Sequence, residues 1–233
     1  MNFIKFLGTA GARIVVSKQL RQSGGIWFHF DGIDVLVDPG PGSLIRVLNS
    51  KPKLDPTSLN AIILSHKHLD HSNDVNIMIE AMTEGGFNQK GYILAPTDAF
   101  EKDGVILKYA RNYVKKEIFL VPETDYEIDG VKFSTSIQHQ HGDVETLGIK
   151  FKTSKYIISY LSDTFFFPEI LNSYQGTDIL IINTVLHLPS SRLNHLCIDD
   201  VRKIITHIKP HKVILTHLGM AMLEANPEKI AKE

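Results

Sequence analysis

What this sequence is short of narrows the field first. A single cysteine, Cys197, excludes a disulfide within the chain and fits a reducing compartment. No apolar run reaches the roughly 20 residues that a membrane-spanning helix needs. An excess of one charge is also missing. The 25 Lys and Arg against 26 Asp and Glu leave a formal charge of −1, too little to hold nucleic acid by bulk electrostatics. No linker or low-complexity stretch interrupts the chain, so it reads as one domain over residues 1–233. Met1-Asn2-Phe3-Ile4-Lys5 leads straight into a strand-like run, with no charged leader and apolar export segment. With the lone cysteine, that predicts a cytoplasmic protein. The 43% hydrophobic and 22% charged residues are ordinary for a globular chain long enough to bury a sizeable core.

Histidine is what the chain has in excess, with 11 residues. The densest group follows an apolar run, Ala61 to Leu64, that reads as a short buried strand. The run stops at Ser65, and His66, His68, Asp70 and His71 follow within six residues. Neutral imidazole and carboxylate are the side chains that hold zinc and similar divalent cations. In an extended segment His66 and His68 project to the same side. Asp70 and His71 fall where the chain turns into a helix and face a second point. Two ligand sets predict two metals. The competing reading, a solvated His-rich turn, gives no reason for imidazoles at this spacing.

The His-x-His-x-Asp-His pattern of residues 66–71 after a hydrophobic strand resembles the signature of the metallo-β-lactamase superfamily. The Asp before the last His is similar to its ribonuclease Z-like and cyclic phosphodiesterase branches. The flavodiiron oxidoreductases of that fold usually carry Glu where this chain has His68. The resemblance implies an α/β fold, a four-layer αββα sandwich.

Other segments fit two related halves. Phe3–Leu7 reads as a strand closed by the turn Gly8-Thr9-Ala10-Gly11-Ala12, which lacks the Lys-Ser/Thr of a phosphate loop and precedes no clear helix. Ile26–Phe30 and Ile33–Asp38 read as a hairpin around Asp31-Gly32. Its terminal Asp38 either orients a ligand histidine from behind or caps the next turn. Val75, Met78, Ile79 and Met82 recur at helical spacing and predict a core face. A helix is expected within residues 98–114, and Lys108 and Arg111, with Lys115 and Lys116 just beyond, read as a solvated basic face ahead of a nucleic-acid contact. Strands follow from residue 117 to 182. The hairpin ending in Asp163 parallels the one ending in Asp38, and Ile214-Leu215-Thr216-His217 parallels Ile63-Leu64-Ser65-His66.

The resemblance places the remaining ligands. Gln138-His139-Gln140-His141 leaves a strand several residues before Gly148-Ile149-Lys150-Phe151, which implies His141, with His139 one alternation away. Asp163 in Ser162-Asp163-Thr164 matches a carboxylate that bridges two metals, and His217 before Leu218-Gly219 matches the last ligand. The implied sets are His66, His68, His141 and Asp163 around one metal, and Asp70, His71, Asp163 and His217 around the other. With no cysteine among them the cations are Zn²⁺ first, with Mn²⁺ or Fe²⁺ admissible. His195, ahead of a helix with core face Val201, Ile204, Ile205 and Ile208, is implied as the proton donor, and Asp70 is grouped with it as catalytic. His29, His139, His187, His207 and His211 default to structural roles.

The function these residues imply is a dinuclear metal-dependent hydrolase, most directly a phosphodiesterase whose two cations share an acidified water. The substrate is a phosphodiester, RNA or a small cyclic diester; no stretch resembles the projecting glycine-rich arm by which ribonuclease Z enzymes grip transfer RNA. An ester, thioester or lactone hydrolase on the same metals is the alternative enzyme. A metal-stabilised binding module without turnover is the alternative outside enzymes. No membrane partner is expected, and a homodimer is compatible with the sequence. Superfamily members often continue further after the last ligand, so a shortened C-terminus is a further expectation.

Overall fold

The strand-rich pattern resolves into two six-stranded mixed sheets. The structure, a computed structural model, describes residues 2–232. The strands are β1 (Phe3–Phe6), β2 (Ile26–Phe30), β3 (Ile33–Val37), β4 (Leu59–Ile63), β5 (Tyr92–Pro96), β6 (Lys116–Leu120), β7 (Asp125–Ile128), β8 (Val131–Thr135), β9 (Ile149–Lys152), β10 (Ile157–Leu161), β11 (Ile179–Asn183) and β12 (Lys212–Thr216). The helices are α1 (Ala12–Ser17), α2 (Ser43–Leu48), α3 (Leu69–Ser72), α4 (Val75–Met82), α5 (Lys108–Arg111), α6 (Ile170–Ser173), α7 (Ile198–Ile208), α8 (Met220–Glu224) and α9 (Pro227–Ile230). One sheet runs β1-β2-β3-β4-β5-β6 and the other β12-β11-β10-β9-β8-β7. Residues up to Gly8, with Gln22–Val121 and Glu127–Val131, form a first compact unit. Thr9–Arg21, Pro122–Tyr126 and the chain from Lys132 onward form a second.

In the first unit β1, β2 and β3 pair antiparallel, and β3 to β6 run parallel. The β2–β3 hairpin turns through Asp31 (φ 52°) and Gly32 (φ 89°). Positive φ at both positions matches the right-handed twist of the paired strands. The parallel strands are continuous apolar runs because both of their faces are buried: Val35, Leu36 and Val37, then Ala61, Ile62 and Ile63. Leu36, Ile62, Leu64, Ile93 and Ala95 pack with Trp27 and with Val75, Met78, Ile79 and Met82 of α4. Register aligns Val37 with Ile63 and Ile63 with Leu94. The chain therefore leaves β3 at Asp38 and β4 at Leu64-Ser65-His66 along one edge of the sheet.

The second unit repeats the plan. Strands β8, β9 and β10 are antiparallel, and β10, β11 and β12 are parallel with Leu161, Ile182 and Leu215 in register. Helix α7 lays Val201, Ile204 and Ile208 against Leu161, Leu180, Ile182 and Tyr174. Asp163, Asn183 and His217 thus emerge at neighbouring carboxyl ends of parallel strands, the side where α/β sheets place their ligands.

Two local expectations differ from what is observed. A helix, α1, does follow the Gly8–Ala12 turn. Its Ile14-Val15-Val16 run disfavours helix intrinsically, but Val15 is fully buried and Ala12 packs on Val185, Leu186 and Cys197. Tertiary contact overrides propensity there. The expected helix within 98–114 shrinks to the single turn α5, because Gly104 turns back onto Glu101 and Ile106 donates to Ala99 instead of continuing a helix. Between Asp163 and Tyr174 only α6 is helical, since Pro168 forbids an earlier interior turn. Among the described residues no helix is long and apolar enough to cross a membrane.

Candidate metal ligands

In the first unit the candidate ligand stretch is built from behind by Asp38. This residue holds a left-handed backbone (φ 52°) and is buried. Its Oδ1 accepts from the Ser65 backbone N–H at 2.6 Å, and its Oδ2 accepts from Ser65 Oγ at 2.6 Å and His71 Nδ1 at 2.8 Å. Because the Ser65 hydroxyl proton goes to Asp38, its oxygen is left to accept from His66 Nδ1 at 3.0 Å. Both imidazoles are thereby fixed with the proton on Nδ1 and the lone pair on Nε2, the form in which a histidine binds a cation. Helix α2 shows no side-chain cap and its N-cap is Gly42, so Asp38 orients Ser65 and the candidate ligand His71 and does not cap.

The rings of His66 and His68 lie 4.8 Å apart, and those of His66 and His71 4.1 Å apart. Ser72 Oγ donates to the carbonyls of Lys67 and His68 at 2.9 and 3.0 Å, tying the start of α3 back onto the motif. Asp70 sits in the first turn of α3, half-buried. Its carbonyl oxygen would lie 2.1 Å from a Cβ placed on Gly40. That close approach is why the Asp38-Pro39-Gly40 turn requires glycine at its end.

In the second unit three histidines surround one carboxylate oxygen. Asp163 Oδ2 lies 3.3 Å from His217 Nε2, 3.6 Å from His141 Nε2 and 3.7 Å from His195 Nδ1. Asp163, His141 and His217 are buried, and His195 is half-buried. These separations exceed those of good N–H···O bonds. They approach the spacing of about 3.3 Å expected between two ligands each about 2.0–2.1 Å from one tetrahedral cation. One donor atom from each of His141, Asp163 and His195 lies within 4.8 Å of the others, a grouping that could hold a metal. His141 Nδ1 donates to the Asn194 carbonyl at 2.9 Å, which puts the lone pair on Nε2, the nitrogen that faces Asp163 Oδ2.

His139 is used differently. Its Nδ1 donates to the Asp163 carbonyl at 3.1 Å, and its Nε2 accepts from the Tyr174 hydroxyl at 2.8 Å. Both nitrogens are committed inside the second unit. Burial pushes the imidazole down to about 4, against a smaller upward pull from the Asp163 carbonyl. The Tyr174 hydroxyl is pushed up by its burial. A neutral pair results, and it holds the Asp163 backbone from behind.

His217 has a left-handed backbone (φ 55°), and the Ala12 N–H approaches its Nε2 at 3.4 Å. Gly11 packs so closely that a Cβ there would lie 2.2 Å from the His217 carbonyl. The glycine turn read from the sequence therefore backs the candidate ligand His217. Sequence reasoning passed over Ser65 and Asn183. Asn183 Nδ2 donates to Asp163 Oδ1 at 2.8 Å and to the Tyr160 hydroxyl at 3.2 Å. The available signal was a polar residue ending the apolar run 179–182. Of the structural histidines, His29 stacks on Phe3 and meets Asp34 Oδ1 at 2.8 Å, where the Trp27 indole also donates at 2.7 Å.

A family profile described as the beta-lactamase superfamily domain matches residues 34–218, a span containing each of the ligand candidates. The chain belongs to that family, and its class is that of the metallo-β-lactamase superfamily hydrolases. An uncharacterised protein of Methanocaldococcus jannaschii is 32% identical over 97% of this chain and 85% of its own length. A ribonuclease Z of Kineococcus radiotolerans is 27% identical over 53% of this chain and 38% of its own length. Among solved structures, the metallo-β-lactamase fold protein YhfI from Bacillus subtilis superposes with a TM-score of 0.81, at 18% identity over 98% of this chain and 90% of that one. That likeness establishes the metallo-β-lactamase fold.

Proposed function

We propose that this protein is a dinuclear metal-dependent phosphodiesterase. The observation that carries the reading is the ring of His141, His195 and His217 about Asp163 Oδ2, at spacings set by ligands of a cation more than by hydrogen bonds. The ligand assignment is His66, His68, His141 and Asp163 for one metal and Asp70, His71, Asp163 and His217 for the other, as the superfamily resemblance implies. The donors are all nitrogen and oxygen, which suits Zn²⁺ first and admits Mn²⁺ or Fe²⁺. When bound, such cations would supply an acidified water and positive charge for phosphate oxygens. The ribonuclease Z relative supports a phosphodiester, RNA or a smaller diester, as substrate.

The chain's own residues do the rest. Asp38 and Ser65 keep His71 and His66 in the ligating tautomer. The Asn194 carbonyl does the same for His141. His195 lies ahead of α7 with 15% of its side chain exposed, accessible enough to pass a proton to a departing alkoxide. Imidazole serves that role near neutral pH, for a gain of roughly 10²–10⁴ in rate. A second reading, His195 as a ligand, is favoured by its grouping with His141 and Asp163.

One set of measurements decides among these. Metal content is measured beside hydrolysis of bis-p-nitrophenyl phosphate, p-nitrophenyl acetate and precursor transfer RNA. Metal-dependent turnover of a phosphodiester is expected, and its absence from every diester would sink the proposal. His195→Ala should keep its metals and lose more rate with an alkoxide leaving group than with p-nitrophenolate, which needs little protonation. Loss of metal would instead make His195 a ligand.

A further inference from the structure

Asn183 stands at the end of β11, between the strand that delivers Asp163 and the strand that delivers His217. Register fixes the arrangement: Ile182 lies between Leu161 and Leu215, and Asn183 pairs with Thr216. The side chain is buried, 3% exposed. Its amide Nδ2 donates to Asp163 Oδ1 at 2.8 Å and to Tyr160 Oη at 3.2 Å. Its own Oδ1 is buried without a hydrogen-bond partner among the described residues.

An unsatisfied buried acceptor carries a desolvation cost that a leucine of similar shape would avoid. Flipping the amide would not remove the problem, because it would set oxygen against the Asp163 carboxylate. The retained orientation is the one that serves Asp163. It also breaks the symmetry of that carboxylate: Oδ1 is engaged by Asn183, while Oδ2 faces His141, His195 and His217.

We propose that Asn183 is a positioning residue that locks the Asp163 carboxylate so that Oδ2 alone is presented to the metal ligands. The inference rests on the metal reading above and goes beyond it. A carboxylate that is not held in this way can swing to chelate one cation through both oxygens, which raises that cation's coordination number and moves the histidines off their spacing. Partners that orient a metal ligand in this manner are typically worth 10–100-fold in metal affinity.

The test is a Co²⁺ titration of purified apo-protein, read by the visible d–d absorption, which weakens as coordination number rises. Asn183→Leu keeps the shape and removes the donor; Asn183→Ser is a smaller replacement, too short to reach Asp163. Tyr160→Phe removes only the second contact of the Asn183 amide. In whichever Asn183 variant unfolds cooperatively as apo-protein, Co²⁺ affinity should fall about 10–100-fold and the band should lose intensity. Tyr160→Phe should titrate within about twofold of wild type. An Asn183 variant with the wild-type affinity and band overturns the role given to Asn183 alone. A wild-type protein that binds no Co²⁺ or Zn²⁺ overturns the metal reading itself. A Tyr160→Phe protein as impaired as Asn183→Leu would show that general packing, not the Asp163 contact, is what matters, and would also overturn the proposal.

Discussion

Gly148→Ala probes how the core behind Asp163 supports the candidate ligands. A Cβ at Gly148 would lie 1.7 Å from the Tyr174 hydroxyl oxygen and 2.9 Å from both Tyr174 Cζ and the Tyr160 carbonyl. Tyr174 is 1% exposed, packed among Leu161, Ile170 and Ile182, so the ring cannot simply swing away. Overpacking of this kind costs about 1–3 kcal/mol. Displacing the hydroxyl also breaks its 2.8 Å bond to His139 Nε2 and orphans a buried acceptor, for about 1–3 kcal/mol more. A central loss of about 4 kcal/mol corresponds to roughly 8–16 °C in melting temperature for a chain of this size. Tyr174→Phe alone should cost about 1–3 kcal/mol, by orphaning His139. In the Gly148→Ala, Tyr174→Phe double variant the clashing oxygen is gone, so the protein should be more stable than Gly148→Ala alone. Urea unfolding of the four proteins followed by circular dichroism gives the cycle, with an expected coupling of about 1–3 kcal/mol. Additive effects, or a Gly148→Ala protein within about 0.5 kcal/mol of wild type, would refute the geometry.

Two further outcomes are expected. Asp163→Ala should release or disorder metal and abolish activity, because the oxygen facing three histidines disappears, whereas Asp38→Ala should act more mildly by loosening His71 and Ser65; metal analysis and turnover measure both, and full metal retention by the Asp163 variant would refute its assignment. His139 lies at about 4 because of burial, against an ordinary 6.5 that it regains on unfolding. The unfolded chain therefore takes up a proton that the folded one refuses. In metal-free protein this contribution is complete above pH 6.5 and is lost as the pH falls toward 4. A difference of about 2.5 pH units corresponds to about 3 kcal/mol. Denaturant midpoints across that window should fall more steeply in wild type than in His139→Gln, and equal slopes would exclude His139 as the cause.

The sequence by itself determined the elements that depend on local spacing. The run Ala61–Leu64 had to be a buried strand, and once it was extended the pattern of 66–71 had to project imidazoles together. The Asp31-Gly32 hairpin followed from its need for positive φ. Helix α4 followed from apolar spacing at 75, 78, 79 and 82. What lay beyond local reading is set by contacts distant in sequence. Asp38 reads equally well as a cap until His71, 33 residues away, is found on its Oδ2. His139 and His141 alternate identically along the chain. They differ because Tyr174 and the Asp163 carbonyl occupy both nitrogens of the first, while the second gives Nδ1 to the Asn194 carbonyl and turns Nε2 toward Asp163 Oδ2. Asn183 looks like the polar end of an apolar strand until parallel register sets it against Asp163. Periodicity along a chain fixes which way a side chain points. Strand order and register decide what it meets there, and that information is held in pairings 20 to 53 residues apart that no short window of sequence contains.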